Sequence, residues 1–311
     1  VSLPALPALV VIRDVGPRDG LQPEAPVPVE ERVRLIEALV AAGVHRIEAA
    51  AFVSPKAVPA MDGATELMAR LPRESIVRYS ALVPNAVGAR RALETDVDEL
   101  TVTISMSEAY NQRNVHRTVE ESVAEIEQIC ALAAQAEGGS DDDVAGVPVD
   151  AVLSCAFGSP YEGDIPPRAV GAMAQRLRDL GCAAITCADT TGMATPRRIE
   201  DVLARTGTGI GLHLHETRGT ALVNAYAAMQ LGVDRFDTSV GGLGGSPFAT
   251  GAAGNLATEE LVALLDDVGV RTGIDLAGLL EAAAVAEQLV QRPVPSRVAH
   301  VGPRTRLAAG G

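Results

Sequence analysis

Apolar residues along this chain alternate between two spacings, the period of two that suits a strand and the period near 3.6 that suits a helix. "LVVIRDVG" (9–16) reads as a strand. It is followed by "VEERVRLIEALVAAG" (29–43), where Val33, Ile36, Leu39 and Val40 share one helical face ahead of a closing glycine. The exchange then repeats. "HRIEAAAF" leads to a short helix from Asp62, "VRYSALV" to a helix from Asn85, and "ELTVTIS" to a long helix from Thr118. "VDAVLSCAF" precedes a helix from Pro166, "AAITCAD" one from Pro196, "GLHLHE" one from Thr220, and "RFDTSVGG" one from Thr258. Eight strand–helix units result.

So many regular units in one chain predict a closed α/β TIM (β/α)8 barrel. A doubly wound open sheet seldom carries as many and would place a Gly-rich phosphate fingerprint after its first strand, where none stands. Residues 1–270 are the expected catalytic barrel, and 275–290 read as an additional amphipathic helix. Residues 271–311 are therefore expected to be a C-terminal helix and tail packed on the barrel. The acidic stretch "EGGSDDDVAG" (137–146) reads as a connection into the fifth strand, on the side of the barrel away from the chemistry.

Composition narrows the partners. Apolar residues make up 47% of the 311, but aromatics only 3%, so the interior has to be built from Ala, Val, Leu and Ile, as covered parallel strands require. A formal charge of −14 disfavours nucleic acid and anionic membranes and leaves small molecules as the expected ligands. Four cysteines lack metal or disulfide spacing, and no segment reads as a signal peptide or approaches a membrane span. A reduced, cytoplasmic protein is expected, with a homodimer as its assembly.

In this fold the chemistry belongs to the C-terminal ends of the strands and the loops after them. "GLHLHETRG" (211–219) sets His213 and His215 two positions apart, so both imidazoles face one side of the seventh strand. Two neutral imidazoles suit a divalent metal, although a hydrogen-bonded pair of core histidines fits the same spacing. Polar residues at the other strand ends favour the metal: Arg18 and Asp19 after the first, Glu48 in the second, Asp189 ending the sixth, Asn255 after the eighth. Carboxylate, imidazole and amide oxygen together suit Mg²⁺ or Mn²⁺ better than a thiolate-rich zinc site. The glycine-rich "SVGGLGGSPFATGAAGN" (239–255) lacks GK[ST] and reads as a lid able to exclude water.

Longer motifs add a family. "VGPRDGLQPE", "IEAAAFVSPKAVPAM", "SCAFGSPYEG", "ADTTGMATP", "HLHETRG" and "GGLGGSPFATGAAGNLATEELV" resemble, in order and spacing, the 3-hydroxy-3-methylglutaryl-CoA lyases, which belong to a metallolyase group of TIM barrels. The resemblance implies a divalent-metal-dependent acyl-CoA lyase that cleaves a 3-hydroxyacyl-CoA such as 3-hydroxy-3-methylglutaryl-CoA into acetyl-CoA and acetoacetate. It implies Asp19, His213, His215 and Asn255 as metal ligands, Arg18 as the group that stabilises the thioester enolate, and catalytic help from Glu48 and Asp189. Arg292 and Arg297, after the final helix, match a region near the family's CoA site, and guanidinium groups suit phosphates. In such a reaction the C3 hydroxyl loses its proton to a base, the ketone leaves, and the enolate is protonated at C2.

The chain departs from the family at the lid. Where the lyases carry a catalytic cysteine between GG and P, Ser246 stands here, and its hydroxyl is a far weaker acid than a thiol. Glu216 replaces the usual Asp after His-x-His, and Ala57 and Val152 replace aromatics, which bears on the acyl group. Three further readings follow. The enzyme takes a different 3-hydroxyacyl-CoA; or Lys56, the single lysine, forms a Schiff base as in lysine-dependent aldolases; or the protein binds a CoA ester and has lost catalysis with its cysteine.

Overall fold

The computed structural model describes residues 6–136, 146–245, 251 and 253–305. Eight parallel strands close in sequence order: β1 (Val11–Asp14), β2 (Arg46–Ala51), β3 (Arg78–Leu82), β4 (Glu99–Ser105), β5 (Val149–Ser154), β6 (Ala184–Asp189), β7 (Gly211–Leu214) and β8 (Arg235–Thr238). β8 pairs with β1, Asp237 opposite Arg13, and this last ladder makes a barrel of the sheet. The chain adopts the expected fold.

The helices α1 (Val29–Ala41), α2 (Ala64–Arg70), α3 (Ala86–Leu93), α4 (Glu108–Val115), α5 (Val119–Ala133), α6 (Pro167–Asp179), α7 (Pro196–Thr206), α8 (Ala221–Gln230) and α9 (Thr258–Val268) lie between or after the strands. Local chemistry starts them where the sequence suggests. Thr118 and Glu121 form a reciprocal capping box on α5, and Thr195 caps α7 ahead of Pro196. Their apolar stripes, such as Ile199, Val202 and Leu203 on α7, are buried against the sheet. α10 (Leu276–Val290) packs against α1 and α9 and buries Leu279, Ala282, Ala283 and Ala286, while α11 (Arg297–Val301) rests on α9. Among the described residues no helix is long and apolar enough to cross a membrane. Residues 137–145 of the acidic stretch lie outside the described residues.

Three details differ from the expectation. α4 is unforeseen because "EAYNQRNV" has almost no apolar spacing; polar bonds hold it instead. Ser107 caps it by accepting from the Tyr110 N–H (3.1 Å), and buried Asn111 donates to Arg117 O (2.9 Å) and Ser122 Oγ (2.8 Å). β8 stops at Thr238, and Val240–Gly242 form a 3-10 turn rather than more strand. β7 stops at Leu214, so His215 stands one residue past it and forms a bridge with Asn255.

The barrel floor is ionic. Arg13 donates to both oxygens of Asp237 (2.8 and 2.9 Å) and pairs with Asp150 (2.7 Å) and Glu99 (2.8 Å), all inside the sheet. Thr186 completes the layer by donating to Asp150 (2.9 Å). Buried charges are tolerable only when paired and hydrogen-bonded in this way.

Candidate active site

β1 ends in a single π-helical turn, Gly16–Gly20, whose sequence GPRDG carries Arg18 and Asp19 to the mouth of the barrel. The turn requires its first glycine: a Cβ on Gly16 would lie 2.8 Å from Asp14 Oδ1 and 2.9 Å from a Val240 methyl. β2 supplies Glu48, β7 supplies His213 and, just beyond, His215, and the bridge to His215 brings Asn255 alongside. Gly244 (φ 112°) lets the intervening backbone press against this group, since a Cβ there would sit 2.5 Å from Asn255 Nδ2.

These elements surround a cavity of about 390 Å³. Asp19, His213 and His215 each offer one ligand atom, and the three atoms lie within 4.8 Å of one another. The two Nε2 atoms are 3.3 Å apart, because each ring is held by its other nitrogen: His213 Nδ1 faces Asp237 Oδ2 (3.3 Å), and His215 Nδ1 faces Ala253 O (2.9 Å). Asn255 Nδ2 donates to Asp19 Oδ2 (2.7 Å) and Leu243 O (3.0 Å), so its Oδ1 is buried without a partner. Two imidazole nitrogens, a carboxylate and an orphaned amide oxygen suit a hard or borderline divalent ion.

Arg18 and Glu48 form the neighbouring pair. The guanidinium Nε bonds one Glu48 oxygen and Nη1 bonds Asp19 (2.8 Å), while Glu48 Oε1 is buried with no partner. Burial works against the charge on Arg18, but the Glu48 and Asp19 carboxylates outweigh it and raise its pKa. Burial likewise opposes ionisation of Asp19, and Arg18 with the two imidazoles overcomes it and lowers the pKa. Burial and then the charge of His213 bring the His215 pKa down to about 4, which leaves this ring neutral at neutral pH.

The remaining candidates lie elsewhere. Asp189 ends β6, but Ala188 and Thr190 line the cavity and its own side chain turns to the following loop, where Oδ1 accepts the Ala194 N–H (2.9 Å). Burial pushes its pKa up to about 7. Arg292 bonds Glu24, and Arg297 reaches Glu216 (3.3 Å) and Glu260 (3.5 Å); both are exposed on the same rim as the cavity but do not line it. Glu216 also caps α8, accepting the Ala221 N–H (2.9 Å). Lys56 is exposed in the loop after β2 and does not line the cavity, whereas Ala57 beside it does. Ser246 lies outside the described residues.

Comparison with known proteins agrees with the site. A family model described as HMGL-like matches residues 9–286. The chain belongs to the HMGL-like family. It is similar to a cytoplasmic 3-hydroxy-3-methylglutaryl-CoA lyase of Danio rerio, at 40% identity over 303 residues, 96% of this chain and 88% of the relative. A 3-hydroxy-3-isohexenylglutaryl-CoA/hydroxymethylglutaryl-CoA lyase of Pseudomonas aeruginosa is also 40% identical, over 89% of this chain and 91% of its own length. Among solved structures, an HMG-CoA lyase from Acinetobacter baumannii in complex with coenzyme A and 3-methylmalate matches with a TM-score of 0.89 at 37% identity, over 98% of both chains. Like the family, this chain is a metal-dependent carbon–carbon lyase.

One group in this HMGL-like site escapes the sequence analysis. Asp237 stands in register between His213 and Arg13 on adjacent strands and bonds both. Burial opposes its charge, but Arg13 and the His213 hydrogen bond hold its pKa well below the usual carboxylate range. A carboxylate accepting from Nδ1–H keeps the Nε2 lone pair of His213 for a metal. In Asp237→Asn, the oxygen is held by Arg13 and the amide group turns to His213, favouring the opposite tautomer. Affinity for Mn²⁺, read by electron paramagnetic resonance titration, is expected to fall about 10- to 100-fold. Unchanged affinity would remove Asp237 from this role.

A second overlooked carboxylate holds the turn that follows β8. Glu259 accepts the Gly241 N–H on both oxygens (3.0 and 3.2 Å), pinning the Val240–Gly242 turn, and burial pushes its pKa up to about 7 from 4.5. The folded state binds this proton more tightly than the unfolded state. Its contribution is therefore complete below about pH 4.5 and is lost as pH rises towards 7, a difference of about 3 kcal/mol. Thermal unfolding of Glu259→Gln between pH 5 and 8 is expected to show a shallower decline than the parent; parallel curves would contradict the assignment.

Proposed function

We infer that this protein cleaves 3-hydroxy-3-methylglutaryl-CoA into acetyl-CoA and acetoacetate in the presence of Mg²⁺ or Mn²⁺. The observation that carries this is the convergence of Asp19, His213, His215 and the orphaned Asn255 oxygen beside the Arg18–Glu48 pair, in one cavity of a lyase-family barrel. These four residues would hold the ion, which when bound supplies Lewis-acid polarisation of the substrate's oxygens.

The chain's own residues do the rest. Glu48 has one oxygen committed to Arg18 and one free, so Oε1 can receive the C3 hydroxyl proton. The bond electrons pass to C2, and the thioester oxygen gains charge. Arg18, fixed by Glu48 and Asp19, has Nη2 unbonded among the described residues and can donate to that oxygen. Asp189 serves as a positioning residue that braces the loop under the site, and Ser246 is our candidate for delivering a proton to C2. Arg292 and Arg297 are candidate partners for the phosphates of CoA, exchanging rim carboxylates for phosphoryl oxygens. We place the enzyme in the cytoplasm.

The Schiff-base alternative is disfavoured by the exposed position of Lys56, and the binding-only alternative by an intact donor set. The direct test is release of acetyl-CoA and acetoacetate by protein stripped with a chelator and then reloaded with Mg²⁺ or Mn²⁺. Turnover only after reloading supports the inference; turnover in the stripped protein, trapped by borohydride at Lys56, would replace it with the aldolase.

A further inference from the structure

Asp14, the last residue of β1, is fully buried on the outer face of the sheet. Its neighbour Arg13 points into the barrel, to Asp237, Asp150 and Glu99, so strand alternation turns Asp14 towards the helices. Outward side chains on other strands, such as Ile47, Ala81, Leu100, Leu153, Ile185 and Leu212, are apolar. A carboxylate in such a place is tolerable only when hydrogen bonds meet its charge. Three segments supply them. Oδ1 accepts the Gly16 N–H (2.8 Å), Oδ2 accepts the Thr258 hydroxyl (2.6 Å) at the start of α9, and the Val240 N–H is a third donor. Thr258 in turn accepts from Thr238 (2.7 Å). Burial pushes the Asp14 pKa up to about 6, so at neutral pH the group is ionised and only accepts.

Two of those segments carry proposed metal ligands. Gly16 opens the GPRDG turn, in which the N–H groups of Arg18, Asp19 and Gly20 all point at Val15 O (3.2, 2.7 and 3.1 Å). Val240 opens the turn that leads to Leu243, whose carbonyl accepts from the backbone and the side chain of Asn255 (3.2 and 3.0 Å). The two segments meet again in front, where Asn255 Nδ2 donates to Asp19 Oδ2 (2.7 Å). Resting on the lyase inference, we propose that Asp14 is a positioning residue for this site. By tying the two turns together from behind, its carboxylate sets Arg18 and Asp19 at their distance from Asn255. Asp14 does not line the cavity and offers no atom to the donor set, so it acts only through the residues it holds.

The test measures Mn²⁺ affinity by electron paramagnetic resonance titration, and kcat and KM for 3-hydroxy-3-methylglutaryl-CoA, in Asp14→Ala and Thr258→Val, beside thermal unfolding of the same samples. Asp14→Ala removes all three bonds and is expected to weaken Mn²⁺ binding about tenfold and to lower kcat about tenfold or more, with KM within about threefold of the parent. Thr258→Val keeps the side-chain shape and removes one of the bonds to Asp14, which corresponds to about a fivefold fall in affinity and kcat. A carboxylate that serves only the fold would lower the unfolding temperature and leave the affinity and kcat of the folded protein unchanged. Affinity and kcat both within about twofold of the parent in folded Asp14→Ala overturn the proposal, and so do parental values in Thr258→Val where Asp14→Ala does not fold. Mn²⁺ affinity is read without the ester and so judges Asp14 by itself. A Mn²⁺-loaded parent that cleaves no ester overturns the lyase inference instead.

Discussion

His213→Ala is expected to abolish turnover and metal binding while leaving the barrel folded. The ring is buried at the end of β7, with Nε2 4.0 Å from Asp19 and 3.3 Å from His215, so it is central to the donor set. It carries little of the fold: Asp237 keeps both bonds to Arg13 without it, and the ionic floor stays paired. Loss of an inner ligand costs at least the 10- to 100-fold in affinity that loss of a supporting residue costs, roughly. With the ion gone, several kcal/mol of charge stabilisation go too, which corresponds to a rate loss on the order of a thousandfold or more. Calorimetric titration with Mn²⁺ and thermal unfolding, run on the same sample, separate the two effects. Near-parental affinity in a folded variant would contradict the ligand assignment.

Arg18→Gln is expected to lower kcat about 100- to 1000-fold with little change in KM. The guanidinium is 8% exposed and clamped between two carboxylates, a geometry suited to charge that develops during the reaction rather than to capture of the incoming ester. Gln keeps a hydrogen-bond donor but removes the positive charge. Mn²⁺ affinity is expected to survive, because Asp19 keeps its bond from Asn255 and both imidazoles. Steady-state kinetics decide: an effect confined to KM would make Arg18 a ground-state binding group.

The sequence discloses those parts of the site that break a local pattern. Imidazoles at 213 and 215 are visible because they interrupt an apolar run with a strand's own period, and Arg18 and Asp19 because they follow the first strand directly. The parity that turns both histidines inward also turns Asp189 away from the cavity, since Ala188 in β6 and Thr190 just past it line the cavity instead. Asp237 was not accessible in the same way. Its bond to His213 spans 24 residues and its bond to Arg13 spans 224, and both depend on strand register, which a single chain's pattern of polar and apolar residues does not encode. α4 is hidden for a different reason: a cap and the buried amide of Asn111 fix it, and hydrophobic spacing has nothing to report there.

The central claim is cleavage between C2 and C3 with protonation of the resulting enolate. It is tested most directly by turning over 3-hydroxy-3-methylglutaryl-CoA in D₂O with Mg²⁺ and examining both products by mass spectrometry. The expected result is acetoacetate and acetyl-CoA in equal amounts, with one deuterium in the acetyl methyl group. Release of free CoA with the six-carbon acid intact, or loss of water from an uncleaved acyl-CoA, would contradict it.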